Sequence, residues 1–340
     1  MTDSIIALDE SYKHLAMKKS DFKQKNRLLI IGKKPLPIGG VTRHVERLES
    51  HLINSDIHFI YKRLTIKEIL NPANFLNNSK MHIHSSHCLV IFWLTIFSKV
   101  TNTKSIFTLH ENLVKSFGFK RTLLYLSFKI ADKPLVLNNQ SYSITKKWNP
   151  NTQLIASFLP PTSIQPLKEK NLKKIQQLKS TYKYVFCTNA YDHKFDENGH
   201  EVYQITKVVE LFNSLDNVAL IVSDPSGNNL KSINNNKSII NKNIFFISTN
   251  HDFVSVIKLS DGLIRATTTD GDSVSIKEAL YYDVPVITTD VIDRHESCIL
   301  YKSRNYNELE TIIKNFSDKK PPINKPSSCF DDLVKIYESI

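Results

Sequence analysis

Glycine is scarce in this chain, at 8 of 340 residues, and tryptophan and methionine number only 2 and 3. So little glycine excludes collagen-like and glycine-rich linker architectures. It also makes the adjacent pair Gly39 and Gly40 stand out, because consecutive glycines permit close backbone approach to a ligand or a plain turn. The four cysteines, Cys88, Cys187, Cys298 and Cys329, form no CxxC pair. They read as reduced structural thiols of a cytosolic protein, which excludes a disulfide framework or a zinc ribbon. No long apolar run is present: CLVIFWLTIF at 88–97 spans ten residues, short of the roughly 20 that cross a bilayer, and reads as a buried helix. Residues 1–25 are polar and lack the apolar core of a secretory signal.

What is present is an ordinary globular composition, 41% hydrophobic and 23% charged, which excludes disorder as the default. The formal charge is +12. Such a surplus suits an anionic partner, whether nucleic acid, a phospholipid surface or a phosphorylated small molecule, and solvated surface lysines account for it equally well. No nucleic-acid-binding motif or interleaved basic-aromatic stripe accompanies the charge, so no nucleic acid is expected.

Short β-branched runs alternate with helical periodicity. Strands are expected at 27–32, 58–61, 81–84, 105–109, 134–137 and 153–157, and again at 184–188, 217–222, 243–248, 262–266 and 284–289. Helices are expected from Val41 and over 201–214, 252–259 and 274–282. This alternation implies parallel βαβ units. Prolines and lysines at 158–181 interrupt it. The expected layout is an N-terminal extension (1–25), a first domain (26–160), a linker (161–181), a second domain (182–315) and a C-terminal helix (316–340) that crosses back to the first. Two doubly wound parallel-sheet domains would face a central cleft, the natural ligand site. The asparagine-rich stretch 228–243 reads as an exposed loop.

The stretch TTDGDSVSIKEAL (268–280) lies between an expected strand and a helix. Free amides of Gly271, Asp272, Ser273 and Val274 at a helix start would suit phosphate. Asp270 and Glu278 could each accept hydrogen bonds from ligand hydroxyls. The alternative is simple capping by Ser273 or Asp272, with Glu278 solvated. HIHSSH (82–87) superficially suggests a metal centre, but Ser86 stands where such a pattern wants Asp. Its histidines read as structural first, cleft-lining second, and no metal site is expected. Residues 113–130 combine aromatics with Lys115, Lys120, Arg121 and Lys129, as a packed helix with snorkelling lysines or one resting on an anionic membrane.

The run LSDGLIRATTTDGDSVSIKEALYYDVPVITTD (259–290) resembles the donor-binding stretch of family 4 glycosyltransferases of the bacterial surface-polysaccharide type, retaining enzymes of the GT-B fold. There an acidic residue, seven intervening residues and a Glu precede a helix and a Pro-Val-Ile strand, and Asp270 and Glu278 match the two acidic positions. The resemblance implies that Glu278 binds the donor ribose, that Asp270 lies by the donor sugar, and that the amides of 271–274 cradle sugar and diphosphate. PIGGVTRHVERL (37–48), HIHSSH, FTLHENL (107–113), ADKPLVLN (131–138) and SFLPP (157–161) are similar to the family's successive first-domain motifs. They imply donor contacts at Gly39 and Gly40 and a catalytic role for His110 near the sugar.

One departure is plain: Asn189, Ala190 and Tyr191 replace the family's Gly-Arg-Leu, leaving Lys194 or His193 as the nearest cation for the diphosphate and Arg265 as a second candidate. The resemblance implies sugar transfer from a nucleotide-diphosphate sugar, UDP-sugar favoured over GDP-sugar, to a hydroxyl of a glycan or lipid-linked acceptor in cell-surface polysaccharide (LPS or capsule) biosynthesis. It implies no required cofactor or metal, and a cytoplasmic location extending to the inner membrane face. The rival readings are a non-catalytic GT-B partner subunit, favoured by the missing Gly-Arg-Leu, and a basic nucleic-acid-binding protein.

Overall fold

A computed structural model describes residues 27–35, 40–65, 67–68, 78–111, 113, 116–270, 273–319 and 321–340. Gly39, Gly271 and Asp272 lie outside the described residues. The chain divides into two compact units, residues 1–162 with 328–340, and residues 163–327.

The first unit is built on a six-stranded sheet. Its strands are β1 (Leu28–Gly32), β2 (Phe59–Arg63), β3 (Lys80–Ser85), β4 (Lys104–Leu109), β5 (Lys133–Val136) and β6 (Gln153–Leu154). They lie in the order β2-β1-β3-β4-β5-β6, and all pairs are parallel. Every residue of β1 is buried, as expected where helices cover both faces. The helices are α1 (Gly40–Ile53), α2 (Cys88–Val100), α3 (Gly118–Ile130), α4 (Asn139–Trp148) and the C-terminal α11 (Phe330–Ser339). Leu333, Ile336 and Tyr337 of α11 pack with Leu28 and Ile30 of β1 and Leu48 of α1. Gly32 ends β1 beneath α1. A Cβ there would meet Val45 at 2.8 Å and the His84 Cβ at 3.3 Å, so glycine permits this close packing.

The second unit repeats the plan with β7 (Tyr184–Asn189), β8 (Val218–Ser223), β9 (Ile244–Ile247), β10 (Gly262–Arg265), β11 (Val286–Thr289) and β12 (Cys298–Tyr301). The order is β12-β11-β10-β7-β8-β9, again all parallel. The helices are α5 (Glu169–Thr181), α6 (Ile205–Asn213), α7 (Asn228–Asn235), α8 (Phe253–Leu259), α9 (Val274–Tyr281) and α10 (Tyr306–Lys314). The order reverses between β7 and β10, the position at which open α/β sheets receive ligands.

Four local expectations change. The stretch read as a linker contains α5, whose Ile175 and Leu178 are buried against Val185 and Leu263. The asparagine-rich stretch is not all loop: Asp224 accepts hydrogen bonds from the Leu230 amide and Asn229 Nδ2, both at 2.9 Å, and Ile233 is buried, which together support α7. Helix α2 is not fully buried, since Leu89 is 61% and Trp93 48% exposed. The expected strand at 153–157 shrinks to Gln153–Leu154. Strand β12 had no sequence expectation. Burial raises the thiols of Cys187 and Cys298 to about 12 and about 11, so both stay protonated.

Candidate active site

In the second unit, Arg265 is the last residue of β10, beside the end of β7. Its Nη1 donates to the Asn189 carbonyl (3.4 Å) and Oδ1 (3.3 Å), and its guanidinium lies 4.9 Å from the Tyr203 ring centre. Asp270, five residues on, accepts from Arg265 Nε and Nη2, both at 3.4 Å. It also accepts from Arg294 Nη1 at 2.9 Å. Arg294, in the segment after β11, is fixed by its Nε donating to the Thr289 carbonyl at 3.1 Å. Side-chain exposures are 10% for Arg265, 9% for Asp270 and 3% for Arg294. Burial pushes the Asp270 carboxyl upward, but the two guanidiniums outweigh it and hold the pKa below the ordinary 3.8. The triad therefore carries one surplus positive charge at the carboxyl ends of the strands.

Helix α9 begins just beyond. Ser273 takes the N-cap position without capping through its side chain, and its Oγ pairs with Ser275 Oγ at 3.1 Å. The simple capping alternative thus loses its hydrogen bond at Ser273. Val274 is the first residue of the helix, and Ile276, Ala279 and Leu280 bury its apolar side in the core. Glu278 is buried, at 6% exposure, and not solvated. A buried carboxylate requires partners or a ligand to offset the loss of water.

Lys194 sits exposed on the loop after β7, with its backbone carbonyl accepting from the Val202 amide at 2.8 Å. His193 Nε2 approaches Glu201 at 3.8 Å. A cavity of about 360 Å³ opens nearby, lined by His193, Glu201, Gln204, Lys207, Arg304 and Tyr306 among others. Asp270 and Glu278 do not line it, so it is distinct from the triad.

In the first unit, Gly40 is the exposed first residue of α1. His110 follows β4 and is half-buried, and its Nε2 lies 3.1 Å from Nδ1 of the buried His84 on β3. His44 of α1 completes the group, its ring centre 5.1 Å from that of His110 and 5.3 Å from that of His84. His82 is also buried, satisfied by the Tyr337 hydroxyl (2.7 Å) and Thr108 Oγ1 (2.8 Å), which is a structural role. Burial, reinforced by the neighbouring imidazoles, pushes His82, His84 and His110 well below 6.5, so their rings are neutral at pH 7. Neutral His110 can accept or donate one hydrogen bond at each nitrogen but is no standing cation.

Sequence reasoning singled out Asp270, Glu278 and His110 and missed Arg294 and His44. An arginine shortly after the Pro-Val-Ile strand and a histidine four residues into the helix that follows the glycine pair were the available signals.

No protein-family model matches the chain, and no curated protein matches it in sequence. Solved structures do match in fold. HepE of Anabaena, crystallised with UDP-glucose, superposes with a TM-score of 0.65 at 11% identity, covering 92% of this chain and 100% of that one. The UDP-GlcNAc 2-epimerase of Methanocaldococcus jannaschii gives 0.61 at 14%, over 92% and 100%. The sucrose-phosphate synthase of Thermosynechococcus elongatus gives 0.60 at 13%, over 87% and 90%. The fold is GT-B, with two Rossmann-like units.

Proposed function

We propose that this chain is a glycosyltransferase that moves a sugar, with retention of configuration, from a nucleotide-diphosphate sugar to a hydroxyl of a glycan or lipid-linked acceptor. UDP-sugar is the favoured donor, and cell-surface polysaccharide synthesis the favoured setting. The observation that carries this reading is the Arg265–Asp270–Arg294 triad at the switch point of the second sheet, one positive charge in surplus, immediately before the helix that carries buried Glu278. The leaving group of such a reaction is a diphosphate, and fixed cations with helix-terminal amides stabilise the charge it develops.

The roles follow from that chemistry. Arg265 and Arg294 serve the diphosphate, with exposed Lys194 as an auxiliary cation. Ser273 and Val274, with Gly271 and Asp272, offer amides to phosphate and sugar. Glu278 accepts from the ribose hydroxyls, and Asp270 holds both arginines beside the sugar. On the first unit, the family resemblance assigns Gly39 and Gly40 to the donor and His110 to the sugar. The HepE structure with UDP-glucose and the epimerase with its UDP-sugar name make UDP-sugars the first donors to try.

The missing Gly-Arg-Leu favours a second reading, a partner subunit that binds donor without transferring. A thermal-shift screen against UDP-, GDP-, ADP- and CMP-sugars tests both, because a ligand that binds the native state raises its apparent stability. One donor class that stabilises the chain and yields free nucleotide supports the enzyme, and stabilisation without turnover over plausible acceptors supports the subunit. The absence of any shift contradicts both.

Contact with an anionic membrane belongs to the same proposal. Leu89 and Trp93 on α2 are exposed, as are Phe117 (74%) and Phe119 (71%) at the start of α3, and Lys129 stands exposed on α3, while Lys99 and Lys120 of these helices pair with Asp132 and Glu111. Apolar anchors flanked by lysines suit an anionic interface. Sedimentation with anionic but not neutral vesicles, lost in Phe117→Ser/Phe119→Ser, is the expected result.

A further inference from the structure

We propose that His44, His84 and His110 form a binding site for one divalent transition-metal ion of the zinc class in the first unit. One ligand nitrogen from each residue lies within 4.8 Å of the other two. Three nitrogens around zinc at ~2.0–2.1 Å stand about 3.4 Å apart. The His84 Nδ1 to His110 Nε2 separation of 3.1 Å already matches that spacing, and rotation of the His44 ring brings in the third.

One further observation points to an ion and not merely to a stack of rings. The His44 Nδ1 lies 3.2 Å from the Ser157 carbonyl oxygen. A carbonyl can only accept, so Nδ1 carries the proton and Nε2 carries the lone pair, and this is how metal-bound imidazoles are usually oriented. Ligation through His84 Nδ1 leaves the buried Nε2 to carry the proton, and that nitrogen has no hydrogen-bond partner among the described residues, a cost that the ion has to offset. His82, though its ring centre is only 4.0 Å from that of His84, has both nitrogens committed to hydroxyls and is excluded as a ligand. The ligands come from three separate elements, α1, β3 and the segment after β4. The spacing of HIHSSH could not reveal the site, because His44 lies on another element and His82, not His44, sits within the motif. Three imidazoles leave a tetrahedral ion one position for water or an added ligand.

The inference does not rest on the glycosyltransferase reading. An ion here would tie α1 to the strand ends and occupy the lone pair that His110 would otherwise offer a sugar, so ion binding and the proposed sugar contact exclude each other at His110.

The test uses the full chain stripped by chelation and titrated with Co²⁺ under visible absorption, followed by Zn²⁺ competition. One equivalent of Co²⁺ with four-coordinate d–d bands, displaced by one equivalent of Zn²⁺, is expected. His44→Ala and His110→Ala should each weaken binding by more than the ~10–100-fold typical of losing an outer partner, while His58→Ala, an exposed residue of the same unit, leaves it unchanged. His110→Ala alters a half-buried side chain at the end of β4 and decides the matter should His84→Ala not fold. Zinc-edge absorption on the unsubstituted chain should count three imidazoles. No uptake, uptake unaffected by His110→Ala, or fewer than three imidazoles at the edge overturns the proposal.

Discussion

At the strand ends of the first unit, His84 and His110 face each other at 3.1 Å as neutral rings, whereas in the second unit Asp270 keeps its charge between Arg265 and Arg294. Both clusters are largely buried at equivalent places in similar sheets. Burial alone disfavours the charged form of either group. Among the described residues no carboxylate pairs with these imidazoles, and they discharge. The carboxylate has two guanidiniums, which cannot discharge, and stays ionised. The same topology thus supplies one site suited to neutral hydrogen bonding or metal ligation and another suited to an anionic leaving group.

The largest test of this contrast is Asp270→Ala. It removes the only carboxylate the triad contains and leaves two buried guanidiniums facing each other, so a loss of up to ~3–5 kcal/mol of stability is expected in denaturant unfolding. Turnover should fall more than nucleotide affinity, since both cations remain. A selective loss of nucleotide binding with unchanged stability would break the comparison. Next is Glu278→Ala, expected to weaken donor binding about 10–100-fold, the equivalent of the ~1.5–3 kcal/mol carried by a hydrogen bond to a charged group, with circular dichroism unchanged. Normal donor use in that variant would remove Glu278 from the site. Arg294→Ala set against Lys194→Ala sharpens the assignment of the diphosphate cation: calorimetry with UDP should show the larger loss for Arg294. The reverse order would return the role to the exposed lysine.

Acidification gives the smallest effect and separates the two clusters. The folded pKa of Asp270 is depressed, so its stabilisation is complete above its ordinary 3.8 and is lost as pH falls through the lower folded value. The folded pKa values of the histidines are also depressed, but for a base the unfolded chain takes up the proton first. The metal-free first unit therefore begins to lose stability as pH falls below 6.5. Unfolding midpoints that decline from near pH 6.5, with a further fall only below about 4, are expected. A single transition confined to the acidic end would contradict the neutral-ring description.

Much of this was legible in the residues. Alternating apolar runs placed eleven of the strands, because strands buried on both faces leave an uninterrupted apolar signature. Helix α7 was not legible, since its asparagines resemble loop composition and its support comes from Asp224 across a turn. Asp270 and Glu278 could be singled out because they resemble the two acidic positions of the family's donor-binding stretch, yet their settings could not. Arg294 reaches Asp270 across 24 residues, and no local period records such a pairing. His44 likewise joins His84 only because Gly32 lets α1 sit close to β1.

The measurement that bears most directly on the proposed activity is release of free nucleotide from UDP-sugars by the purified chain, compared with Glu278→Ala at equal folded concentration. The account predicts acceptor-stimulated release by the unsubstituted chain and its loss in the variant. Release that is equal in both, or absent from the unsubstituted chain over a full panel of nucleotide sugars and hydroxyl acceptors, would contradict it.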